Sequence, residues 1–262
     1  MNIISSSANG QIKNMLKLLK SSKARKTEDA FIVEGIKMFR EAKSLGIVKK
    51  AFFSEDFYNE NQKDSELFEG INYDVVSSKV MKEISDTITP QGVVAVVQKI
   101  NFDMENLLDA KECRLLFLED VRDPGNLGTI IRTAEGAGIT GIILSKESAD
   151  VYNPKVVRST MGSIFRMPHI YVEDFHGSLK KAQSKEIKIY ATHLRGENFY
   201  DEETYPNRTG IIIGNEANGI KEETVVLADC LIKIPMCGKV ESLNAAVAAS
   251  IMMYELFRQR RN

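Results

Sequence analysis

Beginning at Arg114, short apolar runs alternate with breaker loops and helical stretches, and this rhythm leaves few folds open to the chain. Arg114-Leu-Leu-Phe-Leu is apolar at successive positions, as a strand covered on both faces must be. Asp123-Pro124-Gly125-Asn126 interrupts it, and a helix follows through about Gly136. Further strands are expected at 141–144, 187–192, 210–214 and 231–235, with helices between them. Strand, loop and helix in repetition describe an α/β fold with a mostly parallel sheet.

The upstream region is organised differently. Phe31-Ile32-Val33 reads as a strand, 36–45 as a helix and 50–54 as a strand. After a polar, acidic loop at 55–70 come a strand at 73–76, a helix near 78–84 and a last strand at 93–98. Residues 101–113 are polar and acidic, as suits a domain boundary. Two domains are therefore expected, at 1–105 and 112–262.

Composition narrows the function classes. Hydrophobic residues make up 43% and charged residues 27%, the balance of a globular protein. No apolar run approaches the ~20 residues of a membrane-spanning helix, and the first residues lack the apolar stretch of a secretory signal. Cys113, Cys230 and Cys237 form no CxxC pair and read as reduced thiols, so a cytoplasmic location is expected. His169, His176 and His193 show no metal-ligand spacing, and no metal is expected. The net charge of −1 conceals an uneven distribution. Up to Lys26 there are six basic residues and no acid: Lys13, Lys17, Lys20, Lys23, Arg25 and Lys26. Ile12, Met15, Leu16 and Leu19 recur at helical spacing and leave Lys13, Lys17 and Lys20 towards the opposite face. Such an edge is a solvated helix face, a phosphate-contacting surface or, less in keeping with its lysines and with the folded-looking sequence that follows, a transit peptide.

Gly136, Gly138 and Gly141 spell GxGxxG, but the pattern follows a helix and leads into a strand. A dinucleotide fingerprint needs the reverse order, with amides at a helix start facing the pyrophosphate. These glycines read as a helix end and a turn. No GxxxxGK[ST] loop indicates ATP or GTP binding.

Three other segments carry more. In Asn126-Leu-Gly-Thr-Ile-Ile-Arg-Thr-Ala-Glu, a cap at Asn126 would turn Leu127, Ile130, Ile131 and Ala134 to the core, with Gly128 clearing space beside Arg132. A simpler reading pairs Arg132 with Glu135 on an exposed face. In Ile211-Ile-Ile-Gly-Asn-Glu-Ala-Asn-Gly-Ile, a strand ends in glycine, and Glu216 stands beyond it, where open sheets bind ligands. It could equally cap a turn. In Ile234-Pro-Met-Cys-Gly-Lys-Val-Glu-Ser-Leu-Asn, a strand and a glycine loop lead to Ser242, placed to start a helix with a surface of small residues at Ala245, Ala246, Ala248 and Ala249. Helix packing explains the alanines but not the cluster of Glu241, Ser242 and Asn244.

In this order the three segments resemble the motifs of the SpoU, or TrmH, family of RNA 2′-O-ribose methyltransferases. Asn126, Gly128 and Arg132 match the first motif, Gly214, Glu216 and Gly219 the second, and Pro235, Gly238, Glu241, Ser242, Leu243 and Asn244 the third. Ala217 stands where many members carry glycine. The first region, with Phe31-Ile-Val-Glu-Gly and Ile84-Ser-Asp-Thr-Ile-Thr-Pro-Gln-Gly-Val, is similar to the family's substrate-binding domain, itself like ribosomal proteins that bind folded RNA.

The resemblance implies a small α/β RNA-binding domain followed by a parallel-sheet catalytic domain with a deep trefoil knot, paired as a homodimer. It implies S-adenosylmethionine as methyl donor, held by Thr192, Gly214, Ile234, Met236 and Leu243. It assigns Arg132 to the reacting ribose hydroxyl, with Asn126, Glu216, Ser242 and Asn244 holding the arrangement. A guanidinium with pKa above ~12 is a poor base, so Arg132 is expected to grip the adjacent phosphate or orient the hydroxyl. His193, just past a strand end, is a candidate proton acceptor. Ribosomal RNA is the expected substrate. The alternatives are transfer RNA, or a non-catalytic RNA-binding or ribosome-assembly protein that would have no use for S-adenosylmethionine.

Overall fold

A computed structural model describes residues 3–261, which fall into two compact units. The first comprises the residues up to Ile100 together with Asp150–Gly162. The second comprises Asn101–Ala149 and the residues from Ser163 onward. A stretch expected in the catalytic domain, Asp150–Gly162, thus belongs to the first unit. The reasons are specific. The Arg25 guanidinium pairs with Asp150 at 2.8 Å, the rings of Phe31 and Tyr152 meet at 4.7 Å, and Val156 and Val157 of the helix Pro154–Thr160 are buried.

In the first unit, β1 (Ile3–Ile4), β2 (Ala30–Glu34), β3 (Val48–Ser54), β4 (Tyr73–Val76) and β5 (Val93–Gln98) form a sheet in the order β1-β4-β3-β5-β2. Pairings to β5 are antiparallel and the others parallel. The helix Gly10–Lys20 buries Ile12, Met15 and Leu18 against Val76, Val80 and Val94. Leu16 and Leu19, expected in that stripe, are half-buried at its margin. Residues 55–70 are not a plain loop. The Ser54 side chain accepts a hydrogen bond from Phe57 N and starts the helix Glu55–Asn61, and Ser65–Phe68 forms another turn. Phe57, Phe68 and Tyr73 pack around Phe53 at 5.0–5.7 Å between ring centroids, which outweighs the local polarity.

In the second unit, β6 (Cys113–Leu118), β7 (Gly141–Ser145), β8 (His169–Val172), β9 (Lys188–Thr192), β10 (Asn198–Phe199), β11 (Arg208–Ile213) and β12 (Cys230–Lys233) run in the order β10-β12-β9-β11-β6-β7-β8. Every pairing is parallel, and the order is consistent with a knotted C-terminal path. Leu115 and Phe117 of β6 join the core with Ile189 and Ile212. The glycines of the rejected fingerprint behave as read. The helix Pro124–Gly136 ends there, Gly138 takes φ +71 just past its cap, and β7 starts at Gly141.

Candidate active site

Strands β12, β9, β11 and β6 are consecutive in the sheet, so the loops leaving their carboxyl ends share one edge. The three segments singled out above lie at or beyond the ends of β6, β11 and β12, and Thr192 ends β9 with His193 just after it. Sheet order alone therefore brings these residues to one place.

Past β6, the helix starts one turn earlier than expected. Asp123 is its cap, accepting from Asn126 N at 2.8 Å, and Pro124 occupies the first turn, where no N–H is required. Asn126 is therefore not the cap, and its side chain is free to bridge two other loops. Its Nδ2 donates to Glu216 Oε1 at 3.0 Å, and its Oδ1 accepts from Asn244 Nδ2 at 2.9 Å. Asn244 in turn caps the last helix, Ala245–Arg258, by accepting from Ala246 N and Val247 N. That helix does not begin at Ser242, which stays exposed in the preceding loop.

Glu216 is the hub. Its carboxylate also accepts from Arg122 N at 3.3 Å, Asp123 N at 3.1 Å and Asn215 Nδ2 at 3.4 Å. Burial alone would raise its pKa. The hydrogen bonds from Asn126 and from the backbone N–H groups of Glu216, Asp123 and Arg122 outweigh burial and hold it below its ordinary value. A carboxylate so stabilised ties its own loop to the segment after β6 and, through Asn126, to Asn244, and makes a weak base.

Two neighbours were not singled out from sequence. Asp120 takes φ +54 at the end of β6, accepts from Ser145 Oγ at 2.7 Å and pairs with Lys221 Nζ at 2.9 Å. Burial raises its pKa, and the bonds from Lys221 and Ser145 bring it below the ordinary value. Buried Glu119 accepts from Lys221 N at 2.8 Å and Thr224 Oγ1 at 2.5 Å. The available signal was a pair of acids at the mouth of an apolar strand. Asn215 completes the frame, donating to the Asp120 carbonyl at 2.8 Å while accepting from Ala217 N and Asn218 N.

These loops surround a pocket of about 340 Å³. Thr192, Gly214, Ile234, Met236 and Leu243 all line it, as do Glu216 and Ser242. Ile213, Ile220 and Ala248 supply further apolar wall. A Cβ on Gly214 would come within 2.2 Å of the Gly219 backbone, so only glycine permits the loop to fold back this closely. Asn126 and Asn244 reach the pocket through Glu216.

Arg132 stands outside this network. Its side chain is exposed and makes no hydrogen bond or ion pair among the described residues. Glu135 is engaged instead by Ser163 and the Arg166 guanidinium. Gly128, expected to open space beside Arg132, is itself buried. His193 lines the pocket, but Arg195 N donates to its Nδ1 at 3.1 Å. The neutral ring then carries its hydrogen on Nε2, with its remaining lone pair taken. Burial, reinforced by Arg195, lowers its pKa. His193 is therefore poorly set to accept a proton. No group of three His, Cys, Asp or Glu among the described residues could hold a metal ion.

In the first unit the basic edge divides. Lys13, Lys17, Lys20, Lys23 and Lys26 are exposed, whereas Arg25 is 3% exposed. The Arg25 guanidinium donates to the carbonyls of Leu18 and Leu19 and to Asp150. Arg25 is a structural arginine, withdrawn from any RNA surface.

Fold and pocket together give an α/β domain with a ligand-sized cleft at the carboxyl edge of a parallel sheet, the place where open α/β enzymes bind their ligands. Residues 114–254 match the SpoU rRNA methylase family, and residues 9–95 match the MRM3-like substrate binding domain. The 23S rRNA (guanosine(2553)-2′-O)-methyltransferase of Bacillus subtilis strain 168 is 34% identical over 257 residues, 98% of this chain and 99% of that protein. The AdoMet-bound rRNA methyltransferase from Sinorhizobium meliloti aligns at 32% identity with a TM-score of 0.86, over 99% of this chain and 98% of that one. The TrmH/SpoU tRNA modifying enzyme of A. aeolicus aligns over only 60% of this chain and 82% of its own, with a TM-score of 0.52 and 27% identity. The chain belongs to the SpoU rRNA methylase family and is an RNA methyltransferase.

Proposed function

We propose that this enzyme transfers a methyl group from S-adenosylmethionine to a ribose 2′-hydroxyl of large-subunit ribosomal RNA. The observation that carries the reading is that one pocket at the sheet edge is lined by all five residues expected to hold the cofactor. Ile213, Leu243 and Ala248 suit a purine ring, and the carboxylates of Glu216 and Glu241 at the same pocket suit a cationic ligand. S-adenosylmethionine supplies a methyl group already activated by its sulfonium. The protein's part is alignment. Glu216, Asn126 and Asn244 fix the loops after β11, β6 and β12 relative to one another. Arg132, without a partner among the described residues, grips the phosphate next to the target ribose and orients the hydroxyl. Ribosomal RNA is favoured over transfer RNA because the similarity to the rRNA enzymes runs through both units.

Calorimetry in the presence of a chelator is expected to show one S-adenosylmethionine site per chain. Gly214→Ala, which forces a Cβ into the Gly219 backbone, is expected to remove it. A folded parent protein that binds no S-adenosylmethionine would sink the reading.

The first unit delivers the RNA through Lys13, Lys17, Lys20, Lys23 and Lys26. Removing residues 1–100 would strand Asp150–Gly162, so the test is substitution of the five lysines by glutamine. RNA affinity should fall and its salt dependence should flatten, with cofactor affinity unchanged. An unaltered salt slope means that the lysines are only a solvated face.

The active form is a homodimer joined through the last helix. The small-residue surface of that helix does not form the interface. Ala245, Ala246 and Ala249 are buried within the chain, and Ala248 lines the pocket. The large apolar side chains that the helix leaves exposed are Val247, Tyr254 and Phe257. The Tyr254 hydroxyl lies 3.7 Å from where a Cβ would stand on Gly136, one turn beyond Arg132. A two-fold pair would cover this stripe with its own copy. Tyr254→Arg is expected to give monomers by light scattering and to cut activity. A fully active monomer of the parent protein contradicts the pairing.

A further inference from the structure

We infer that the first unit carries a pocket for one unstacked nucleobase of the RNA substrate, and that Ile88 fills the gap this base leaves in the stack. The inference rests on the reading of the chain as a ribosomal RNA methyltransferase and places a second RNA contact far from the cofactor residues in sequence.

A cavity of about 320 Å³ opens in this unit. Ile32 and Val157, both buried, form its floor, with Leu19, Met38 and Met161 as walls. Lys37, Gln91 and Arg158 stand at its mouth, and the carboxylates of Glu34 and Asp86 also line it, the first engaged by Asp86 N and Thr87 and the second by Arg158. The volume lies at the small end of ligand pockets, which run from ~300 to ~1,000 Å³, and suits a base with part of its ribose. Apolar walls with a few hydrogen-bonding groups are what a splayed-out base needs, since its faces stack and its edge is polar.

The local backbone is arranged around this opening. Gly35 takes φ +92 where β2 gives way to the helix Ile36–Ser44, and a Cβ there would stand 2.8 Å from Gln91 Oε1. Glycine lets Gln91 cross the turn and accept from Ile36 N at 3.3 Å. The Gln91 Nε2 is left as a donor with no partner among the described residues, and lies at the cavity.

The loop carrying Gln91 is held from two sides. Asp86 N donates to Glu34 Oε2 at 2.9 Å, the Thr87 hydroxyl donates to Glu34 Oε1, and Arg158 pairs with the Asp86 carboxylate. The next residue, Ile88, is fully exposed. A branched apolar side chain on a pinned loop beside a cavity with apolar walls has the form of a wedge that separates neighbouring bases. Charge points the same way. Leu19, one wall of the cavity, belongs to the helix that presents Lys13, Lys17 and Lys20, so a phosphate backbone held along those lysines passes the opening. Lys37 at the mouth adds a cation without an ion pair among the described residues.

Two measurements test this on the full chain. With methionine methyls carbon-13 labelled and the cofactor site filled by S-adenosylhomocysteine, ribonucleoside 5′-monophosphates and a mixed-sequence single-stranded RNA are titrated in. The Met38 and Met161 methyl signals are expected to move upfield from ring currents, and ribose 5-phosphate should leave them in place. If the RNA binds and neither signal moves, or if ribose 5-phosphate moves both equally, the base pocket is wrong. In the second measurement, Ile88→Ser and Met161→Trp, both at exposed positions, are assayed on unmodified ribosomal RNA. Each should lower kcat/KM by the order of tenfold, the scale of one lost base stack, with S-adenosylmethionine affinity unchanged. Parent values of kcat/KM in both variants would overturn the inference while leaving the methyltransferase reading intact. A parent enzyme that methylates no ribosomal RNA would overturn that reading, and the methyl signals still decide the pocket.

Discussion

Arg132→Ala is expected to slow methyl transfer by at least about 100-fold, equivalent to ~2.7 kcal/mol of transition-state stabilisation, with S-adenosylmethionine affinity nearly unchanged. The basis is the contrast between Arg132 and its surroundings. Glu216, Asn126 and Asn244 are tied to one another, and Glu135 is held by Arg166 and Ser163, while Arg132 spends none of its donors on another described residue. A guanidinium left free on an exposed helix face is suited to an anion brought by the substrate. Arg132→Lys keeps the charge without the planar fork and should recover only part of the rate. Single-turnover assays at saturating RNA separate this from weaker binding. A parent rate for Arg132→Ala at saturation would mean that the residue serves binding alone.

Glu216→Ala is expected to lower both cofactor affinity and turnover, turnover by roughly 10- to 100-fold, because Glu216 lines the pocket and ties its loop to the segment after β6 and, through Asn126, to Asn244. Removing it strands donors at Arg122 N, Asp123 N and Asn126 Nδ2, each lost bond to a charged acceptor being worth about 1.5–3 kcal/mol where water cannot replace it. Asn126→Ala should cause a similar loss, and the double variant should lose much less than the sum. Additive losses would show that the two residues act separately. The pH dependence has a definite sign. The folded-state pKa of Glu216 is depressed, so its contribution to stability is present above its unfolded value, about 4.3, and is lost as pH falls through the folded value. Glu216→Gln should flatten part of the fall in Tm on acidification. Asp120, depressed for similar reasons, supplies a further part.

The strands of the parallel sheet were legible because burial on both faces demands unbroken apolar runs, as in Leu115–Leu118 and Ile211–Ile213. Edge strands escaped. His169–Val172 is only partly buried, and Asn198–Phe199 is two exposed residues with no pattern to read. Motif positions were legible one by one, but their hydrogen bonds were not. Asp123 and Asn126 are both able to cap, and Pro124 between them decides for the first. Arg25 shows the limit most clearly. In a lysine-rich stretch it looks like its neighbours, and only a carboxylate 125 positions away, at Asp150, makes it part of the interior.

That pairing also bears on the order of events during synthesis. The first unit is not complete when residue 100 leaves the ribosome, since Asp150–Gly162 still belongs to it. At about 5–20 residues per second, the wait for the last of these residues is roughly 3–12 s. During it Arg25 has no carboxylate partner, and the Phe31 ring has no Tyr152 to pack against. The opening strands of the second unit emerge in the same interval. The two units therefore finish folding in an overlapping rather than a sequential order, and a nascent chain arrested shortly before residue 150 should be more open to protease around Arg25 than one arrested after residue 162 has emerged.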